Sequence, residues 1–366
     1  MEATEIRITK RKLKNLVNNN VKSAEAVNLV YVNDAQPGIE RIRKGESFIY
    51  RYNGKTVTDK AVLQRIRSLV IPPAWENVWI CASENGHLQV TGIDAKNRKQ
   101  YKYHPSWNVL RNHTKYFHLY DFGNALPSIR EQLKKDLAKP GLPLEKVLAA
   151  VVSLMQCTCI RIGNSVYERL NGSFGLTTLK DQHVKIKGQE MKFAFKGKKG
   201  VYHNITLKSK KLAKIVQACR DIPGKELFQY YDENGDRKSI DSGMVNSYIK
   251  TISNGNFTAK DFRTWEGTLH ALNAFKGIGF SETQKETKRK IVEALDLVAA
   301  QLGNTRTVCR KYYVHPAIID LYSDKRLKKY FSQMEQEECA TTDTGLSQEE
   351  KILMKILEAY GSTIIV

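Results

Sequence analysis

The sequence predicts a two-domain α+β protein, with a small β-rich N-terminal domain and a larger, mainly α-helical domain that carries a small antiparallel sheet. Three observations predict it. A chain of 366 residues is long for one hydrophobic core. Up to about residue 107 the apolar residues alternate in short runs separated by turn residues, the period of strands. From about Asn108 the periods lengthen to those of helices, interrupted at 184–207 by a renewed alternation. These changes of period set the expected boundaries: 1–107, with a basic leader at 1–26; 108–332; and an acidic linker with a helical tail at 333–366.

Within the first domain, VNLVYV at Val27–Val32 predicts a strand, closed by the turn residues NDAQPG at Asn33–Gly38. Phe48, Tyr50 and Tyr52 alternate with polar residues and turn at Asn53–Gly54. Lys60–Leu69 has the period of a short helix, stopped by Pro72–Pro73, and Trp75, Val78, Trp79 and Ile80 read as core. A further turn and strand lead into DAKNRKQYKYHPSW. There Lys96, Arg98, Lys99 and Lys102 interleave with or flank Tyr101, Tyr103 and Trp107. Cations alternating with aromatic rings suit a phosphate backbone with its sugars and bases, although an edge strand with aromatic anchors has the same pattern.

In the second domain, Pro127–Leu137, Leu144–Cys159 and Asn164–Leu170 predict helices. Arg161 follows the apolar face of the second and precedes Gly163, so it should be partly enclosed. A guanidinium there needs an anionic partner, either a ligand or a structural carboxylate such as Glu168. VKIKG, MKFAFKG and VYHNITL predict a three-stranded sheet with Phe193 and Phe195 on one face and Lys192 and Lys196 on the other. Lys198 and Lys199 fall in the turn GKKG. Residues 181–214 hold ten lysines against two acidic residues, so the turn also reads as a solubilising one. YYDENGDRKSI reads as a turn and Ser242–Ile252 as a helix. In FTAKDFRTWEGT, Thr258 and Asp261 have the form of a capping box, which places Lys260 and Arg263 three apart on one helix.

The run KRKIVEALDLVAAQLG predicts an amphipathic helix ending at Gly303, followed by NTRTVCRKYYVHP. A short helix there puts Arg306, Arg310 and Tyr313 on one face. A phenol among fixed cations is what phosphoryl transfer to a tyrosine needs, because guanidiniums favour the phenolate and offset charge on a phosphate. Paired tyrosines before a proline also serve as core or interface residues.

Composition narrows the function classes. With 59 Lys+Arg against 38 Asp+Glu, the net charge of +21 points to a polyanionic partner. Nucleic acid is favoured over a membrane surface, since there is no apolar run of spanning length and no acylation signal. The six cysteines are scattered. Cys157 and Cys159 form a lone C-x-C with no second pair, so neither a zinc motif nor a disulfide framework is indicated, and a reducing cytoplasm is expected. No Walker pattern and no EF-hand spacing occur, so no nucleotide or metal cofactor is expected.

Five blocks, GHLQVTGIDAKNRKQYKYHPSW, CIRIGNSVYERLNGSFGLTTLKDQHV, KFAFKGKKG, FTAKDFRTW and LGNTRTVCRKYYVHP, together resemble the bacterial and poxvirus-like type IB DNA topoisomerases from about Pro72 to Tyr322. The resemblance implies the catalytic fold shared by tyrosine recombinases and topoisomerases IB, acting on double-stranded DNA as a monomer that clamps the duplex. It implies Tyr313 as the nucleophile that joins a DNA 3′-phosphate, with Arg161 and Arg263 gripping the non-bridging oxygens. Lys198 is then the general acid for the leaving 5′-oxygen, and Lys260 its helper. Asn304 stands where poxviral enzymes place a histidine, an amide in place of a charge. Lys99, Gln100, Tyr101 and Tyr103, with Lys199 in the catalytic domain, are the implied duplex contacts. A tyrosine recombinase uses the same side chains but usually shows H-x-x-R where this chain has Lys260-Asp-Phe-Arg263; a non-catalytic architectural DNA-binding protein is a third reading, based on charge alone. The tail, with an acidic run at Glu335–Glu338 and an amphipathic stretch at Glu350–Tyr360, either packs on its own chain or swaps.

Overall fold

The computed structural model describes residues 7–9, 16, 19–95, 97–336, 345–360 and 363–365. They form two compact units, Met1–His118 with Gly361–Val366, and Leu119–Tyr360. Lys96, Glu337 and Glu338, which the sequence reading covers, lie outside the described residues, as do the side chains of Glu335 and Gln336.

The smaller unit is built on an antiparallel sheet of six strands in the order β4-β3-β2-β5-β6-β7: β2 (Ile39–Lys44), β3 (Ser47–Tyr52), β4 (Lys55–Thr56), β5 (Glu76–Ile80), β6 (Leu88–Ile93) and β7 (Lys99–Tyr103). Ile39, Val78, Ile80 and Val90 bury one side of it against Ile66 of helix α2 (Lys60–Ser68). Asp59 caps that helix, its carboxylate accepting from the amides of Ala61 (2.8 Å) and Val62 (3.1 Å). In the same unit β1 (Arg7–Thr9) pairs antiparallel with β13 (Thr363–Ile365).

The strand expected at Val27–Val32 is absent. Helix α1 (Asn20–Glu25) ends there, and Asn28 takes a left-handed φ of 57° that turns the chain back. Val27 and Leu29 are buried with Ala24, Trp107 and Leu110, and Val30 alone makes a bridge, to Gly86. The alternation is that of buried and exposed residues in a folded-back loop. Trp107 is likewise a core residue, 5% exposed, and not one of the rings offered to a partner.

The larger unit packs around α4 (Leu144–Thr158), whose residues Val147–Val152, Leu154 and Met155 are buried. The short helix α5 (Ser165–Asn171) comes next, and α6 (Lys210–Arg220), α7 (Ser242–Ser253) and α8 (Ala259–Ile278) lie against α4. The helix expected to begin at Pro127 is the end of a longer one, α3 (Pro105–Ala138), with Pro127 inside. A proline suits a helix start; mid-helix it loses its own N–H bond and crowds the carbonyl four residues earlier, and the buried Phe122, Leu126 and Ile129 carry the helix past it.

The expected small sheet is present as β8 (Val184–Lys187), β9 (Glu190–Lys196) and β10 (Tyr202–Lys208), all antiparallel. Met191, Phe193 and Phe195 are buried, and Lys192 and Lys196 are exposed. The stretch expected as a turn at 230–240 is a hairpin, β11 (Gln229–Tyr231) with β12 (Arg237–Ser239). Helices α9 (Gln284–Leu302), α10 (Arg306–Tyr312), α11 (Pro316–Ser323), α12 (Lys328–Gln336) and α13 (Gln348–Tyr360) complete the unit.

The tail helix α13 packs within this unit, burying Ile352, Leu353, Ile356 and Leu357 against α8, α11 and α12. Its Glu350, 2% exposed, takes both arms of Arg130 (2.7 and 2.8 Å) and the indole N–H of Trp265 (3.0 Å). Burial opposes ionisation of that carboxyl, but Arg130, Ser347 and Trp265 together hold it below the usual range. Among the described residues, no helix is long and apolar enough to cross a membrane.

Candidate active site

The larger unit gathers four of the sequence-selected side chains, Arg161, Arg263, Asn304 and Tyr313, into one corner. Each arrives at the end or edge of a helix, for a local reason.

Arg161 follows the point where α4 stops. Cys159 adopts a left-handed φ of 54° as its C-cap, and the chain then runs extended. That extended run is pinned from outside: the amides of Leu176 and Thr177 donate to the carbonyls of Arg161 (2.8 Å) and Ile162 (2.6 Å). Gly175 permits this approach, since a Cβ there would lie 2.6 Å from the Arg161 carbonyl oxygen. The Arg161 guanidinium donates to the carbonyl of Gly303 (3.4 Å) and to Oδ1 of Asn304. Glu168 is not its partner; that carboxylate pairs with Lys180 at 2.8 Å. Burial and then the Arg263 charge pull the Arg161 guanidinium down to about 10, against the opposing influence of Tyr313 and Cys309, so it stays protonated near neutral pH.

Arg263 lies in the second turn of α8. Thr258 and Asp261 start that helix with the expected capping box: the Asp261 carboxylate accepts from the Thr258 amide (2.8 Å) and hydroxyl (2.9 Å). Arg263 is 5% exposed and donates to the carbonyls of Cys159 and Leu302, the latter at 2.9 Å. It therefore ties the end of α4 to the end of α9. Its guanidinium carbon sits 5.1 Å from the centre of the Tyr313 ring.

Asn304 follows Gly303, the left-handed C-cap (φ 57°) of α9, as the sequence predicts. Its Oδ1 is occupied by Arg161, which orients the amide nitrogen the other way. Among the described residues, three buried side-chain polar atoms have no partner: Arg263 Nε, Asn304 Nδ2 and Gln333 Oε1. Two of the three are nitrogen donors in this corner. Buried donors without acceptors are costly, and two of them beside two guanidiniums have the chemistry to hold an anion.

Tyr313 caps the C-terminus of α10 and is half-buried, whereas Tyr312 is 40% exposed. Two α8 residues that sequence reasoning missed fix its backbone. A Cβ at Gly267 would lie 2.7 Å from the Tyr313 carbonyl oxygen, so only glycine admits the contact. The Thr268 hydroxyl shares its proton between the Thr264 carbonyl (2.8 Å) and that of Tyr313 (3.2 Å), and it accepts the amide of His315 (3.1 Å). A glycine inside the helical run FRTWEGT was the available signal. The expected face of Arg306, Arg310 and Tyr313 does not form as a unit, because Arg306 is turned to Asp296 in a bidentate pair (2.7 Å each).

The remaining selected residues of this unit are exposed. Lys198 and Lys199 occupy the exposed β9–β10 turn; Lys199 has a left-handed φ of 62°, and the Lys198 ammonium rests 5.1 Å from the Tyr167 ring centre. Lys260 is exposed in the first turn of α8. One residue joins the turn to the corner, His203 of β10, which the sequence reading did not single out. A Cβ at Gly197 would meet its ring at 2.6 Å, and one at Gly303 would come closer still. His203 stacks on Phe195 (5.0 Å), and burial, then Arg161 and Arg263, hold its pKa below the ordinary value.

In the smaller unit, Tyr101 and Tyr103 alternate on β7, exposed, with near-parallel rings 6.1 Å apart. Lys99 pairs with Asp34 (2.6 Å) and Gln100 donates to Asp94 (2.8 Å). Lys102, grouped with them in the sequence, instead donates to the carbonyls of Leu69 and Val70.

Known proteins agree with this architecture. Residues 98–340 match the family described as the catalytic core of eukaryotic DNA topoisomerase I, and residues 47–94 match the N-terminal domain of bacterial DNA topoisomerase IB. The chain is 34% identical over 300 residues to the DNA topoisomerase 1B of Acanthamoeba polyphaga mimivirus, covering 78% of this chain and 88% of that one. It is 25% identical over 240 residues to the DNA topoisomerase I of Monkeypox virus and to the DNA topoisomerase 1B of Vaccinia virus, in each case covering 65% of this chain and 73% of the relative. With a β-rich unit, a helical unit, a tyrosine beside a buried and a half-buried arginine, and these matches, the chain belongs to the type IB DNA topoisomerases.

Proposed function

We propose that Tyr313 attacks a phosphodiester of duplex DNA, forms a 3′-phosphotyrosyl bond and expels a 5′-hydroxyl, and that religation after strand rotation relaxes supercoils of either sign. The observation that carries this assignment is the pair of buried, unpartnered donors, Arg263 Nε and Asn304 Nδ2, beside two guanidiniums and the Tyr313 ring. A phosphate seated there accepts from Arg161, Arg263 and the Asn304 amide. As the phenolate oxygen closes on phosphorus, a five-coordinate species with added negative charge forms, and the two fixed cations offset it. The leaving 5′-oxygen departs with its electron pair and takes a proton from Lys198, with Lys260 assisting. The phenol's own proton leaves to solvent or a base before attack, and reversal returns the same groups to their starting states. Because the phosphotyrosyl bond keeps the energy of the original diester, resealing needs no ATP.

Tyr101 and Tyr103 offer the exposed rings of the smaller unit to the duplex. Lys99 joins them by exchanging Asp34 for a phosphate, Gln100 by leaving Asp94, and Lys199 adds a cation from the catalytic domain. Contacts of this kind make affinity fall steeply with salt. The packing of α13 on its own unit supports a monomer that grips DNA without lending its tail to a neighbour, which favours a topoisomerase over a recombinase assembly. A bacterial cytoplasm is the compartment this reading implies.

Supercoil relaxation with EDTA present and ATP absent, run beside Tyr313→Phe, tests the assignment. The variant should lose both the covalent adduct and relaxation while binding DNA as wild type does. Relaxation surviving in Tyr313→Phe would move the nucleophile to Tyr312, and a 5′-linked adduct would reject the mechanism.

A further inference from the structure

Cys159, whose carbonyl accepts from Arg263, also belongs to a side-chain cluster that the transesterification does not use. Cys159 Sγ, one carboxylate oxygen of Glu266 and one ring nitrogen of His270 all lie within 4.8 Å of one another. The thiol is 3.9 Å from His270 Nε2. Glu266 and His270 are one turn apart on α8, so both side chains leave the same face of the helix. Cys159 meets them from the C-cap of α4, where its left-handed backbone is one that a non-glycine residue seldom adopts. A spacing of more than a hundred residues hides this set from any motif read along the chain.

We propose that Cys159, Glu266 and His270 form a three-ligand site for a zinc-class divalent cation. The geometry is close to what such an ion requires: bonds of about 2.0–2.3 Å in a tetrahedron put donor atoms about 3.3–3.6 Å apart, so small side-chain rotations complete the site from the spacing seen. The donor set selects the ion. One sulfur, one nitrogen and one carboxylate oxygen suit zinc, cobalt or nickel and are poor ligands for magnesium or calcium. The charges also match, because a thiolate and a carboxylate neutralise a dication in a place where an unbalanced charge is expensive. Cys159 is 7% exposed while Glu266 and His270 are only half-buried, which leaves the fourth position toward solvent for a water.

The pKa directions agree with three ligands crowded together and partly withdrawn from water. Burial pushes the Cys159 thiol up to about 12 and the Glu266 carboxyl up to about 7, and it pushes the His270 imidazole down. An arriving cation displaces the thiol and carboxyl protons, so binding releases protons and strengthens as the pH rises. The site shares a residue with the catalytic corner: Cys159 offers its sulfur to the metal and its carbonyl to Arg263. Bound metal therefore pins the strained turn that precedes Arg161 and whose carbonyl Arg263 holds.

Titration of the full chain with cobalt(II) under reducing, oxygen-free conditions tests the proposal. It predicts a thiolate-to-cobalt charge-transfer band, visible bands of a four-coordinate ion, saturation at one equivalent, and loss of both on adding zinc. Cys159→Ser should abolish the charge-transfer band, and Glu266→Gln or His270→Gln should weaken cobalt binding at least about tenfold. Cys157→Ser, two residues away, should leave band and affinity unchanged. Zinc should raise the melting temperature of wild type and of Cys157→Ser but not of the three ligand variants, and far-ultraviolet circular dichroism on every variant separates a lost ligand from a lost fold. A band that survives in folded Cys159→Ser, a band that disappears in Cys157→Ser, or the lack of any saturable band in wild type would overturn the site.

Discussion

The arginine corner and the Lys198 turn lie in the same unit, and both serve cationic side chains, yet they are built oppositely. Arg263 is buried, its guanidinium held by carbonyls at the ends of two helices, and Arg161 is fixed by Gly303 and Asn304. Lys198 stands exposed on a turn, resting against the half-open ring of Tyr167. The difference follows from what each group has to do. A charge that stabilises a pentacoordinate phosphate is worth most when it is already oriented and partly desolvated, because nothing then reorganises during reaction. A proton donor has to follow the leaving oxygen and take its proton back on religation, and an exposed ammonium on a short turn is not locked in place.

Removing the preorganised charge should therefore have the largest effect. Arg263→Ala and Arg161→Ala should slow single-turnover cleavage on the order of 10³-fold. Arg263→Lys should recover little, since an ammonium lacks the planar fork that spans the Cys159 and Leu302 carbonyls. Arg263→Ala should also lower stability in urea by about 1–3 kcal/mol, because it strands those carbonyls. Wild-type cleavage by either alanine variant would mean that the corner is structural.

Lys198→Ala sharpens the contrast, because its loss should depend on the leaving group. On ordinary DNA we expect cleavage slower by on the order of 10²–10³-fold. On a substrate with sulfur bridging at the 5′ position, which expels a thiolate needing no proton, it should run close to wild type. The arginine variants should be defective on both substrates. Lys199→Ala is the internal control and should cost only some salt-dependent affinity. Equal defects for Lys198→Ala on the two substrates would leave it a phosphate-positioning residue and make Lys260 the candidate acid.

The same contrast explains what the sequence disclosed. Capping at Thr258 and Asp261, the helix end at Gly303 and the alternation of Phe193 and Phe195 are local signals, and each appears in the structure as read. The fold class followed from such signals added along the chain. What stayed hidden depends on residues brought together from afar: Gly267 and Thr268 under Tyr313, His203 between two glycines, and Glu168 taken by Lys180. Arg306 shows the converse, a cation in the right place along the chain whose side chain is drawn off by Asp296. Val27–Val32 is no strand because one asparagine in a left-handed conformation undoes an extended run, and no period reveals that.

Asn304 should give a milder effect than either group. Its Oδ1 braces Arg161, and its Nδ2 is free to donate one neutral hydrogen bond to the phosphate. Asn304→Ala should slow cleavage by about tenfold, the value of one such bond, and equally on ordinary and sulfur-bridged substrates. Selective rescue on the sulfur substrate would place Asn304 with Lys198 at the leaving oxygen.

The smallest effect concerns His203, which touches both regions. Burial, then the charges of Arg161 and Arg263, disfavour its protonated form, so its folded pKa lies below the ordinary 6.5. The sign follows from proton counting. As the pH falls from neutrality, the unfolded chain gains this proton near 6.5 while the folded chain still refuses it, so the unfolded state binds more protons and folding loses stability. The loss begins as the pH drops through the unfolded value and levels off below the folded one. His203→Gln should flatten that part of the stability curve, at the cost of the ring stacked on Phe195. Duplex DNA supplies a sharper test. A phosphate seated between Arg161 and Arg263 offsets the two charges that repel a proton from His203, so the imidazole pKa, followed by NMR of its ring protons, should rise when DNA binds. An unchanged pKa would place the phosphate elsewhere and break the link between the histidine, the turn and the arginine corner.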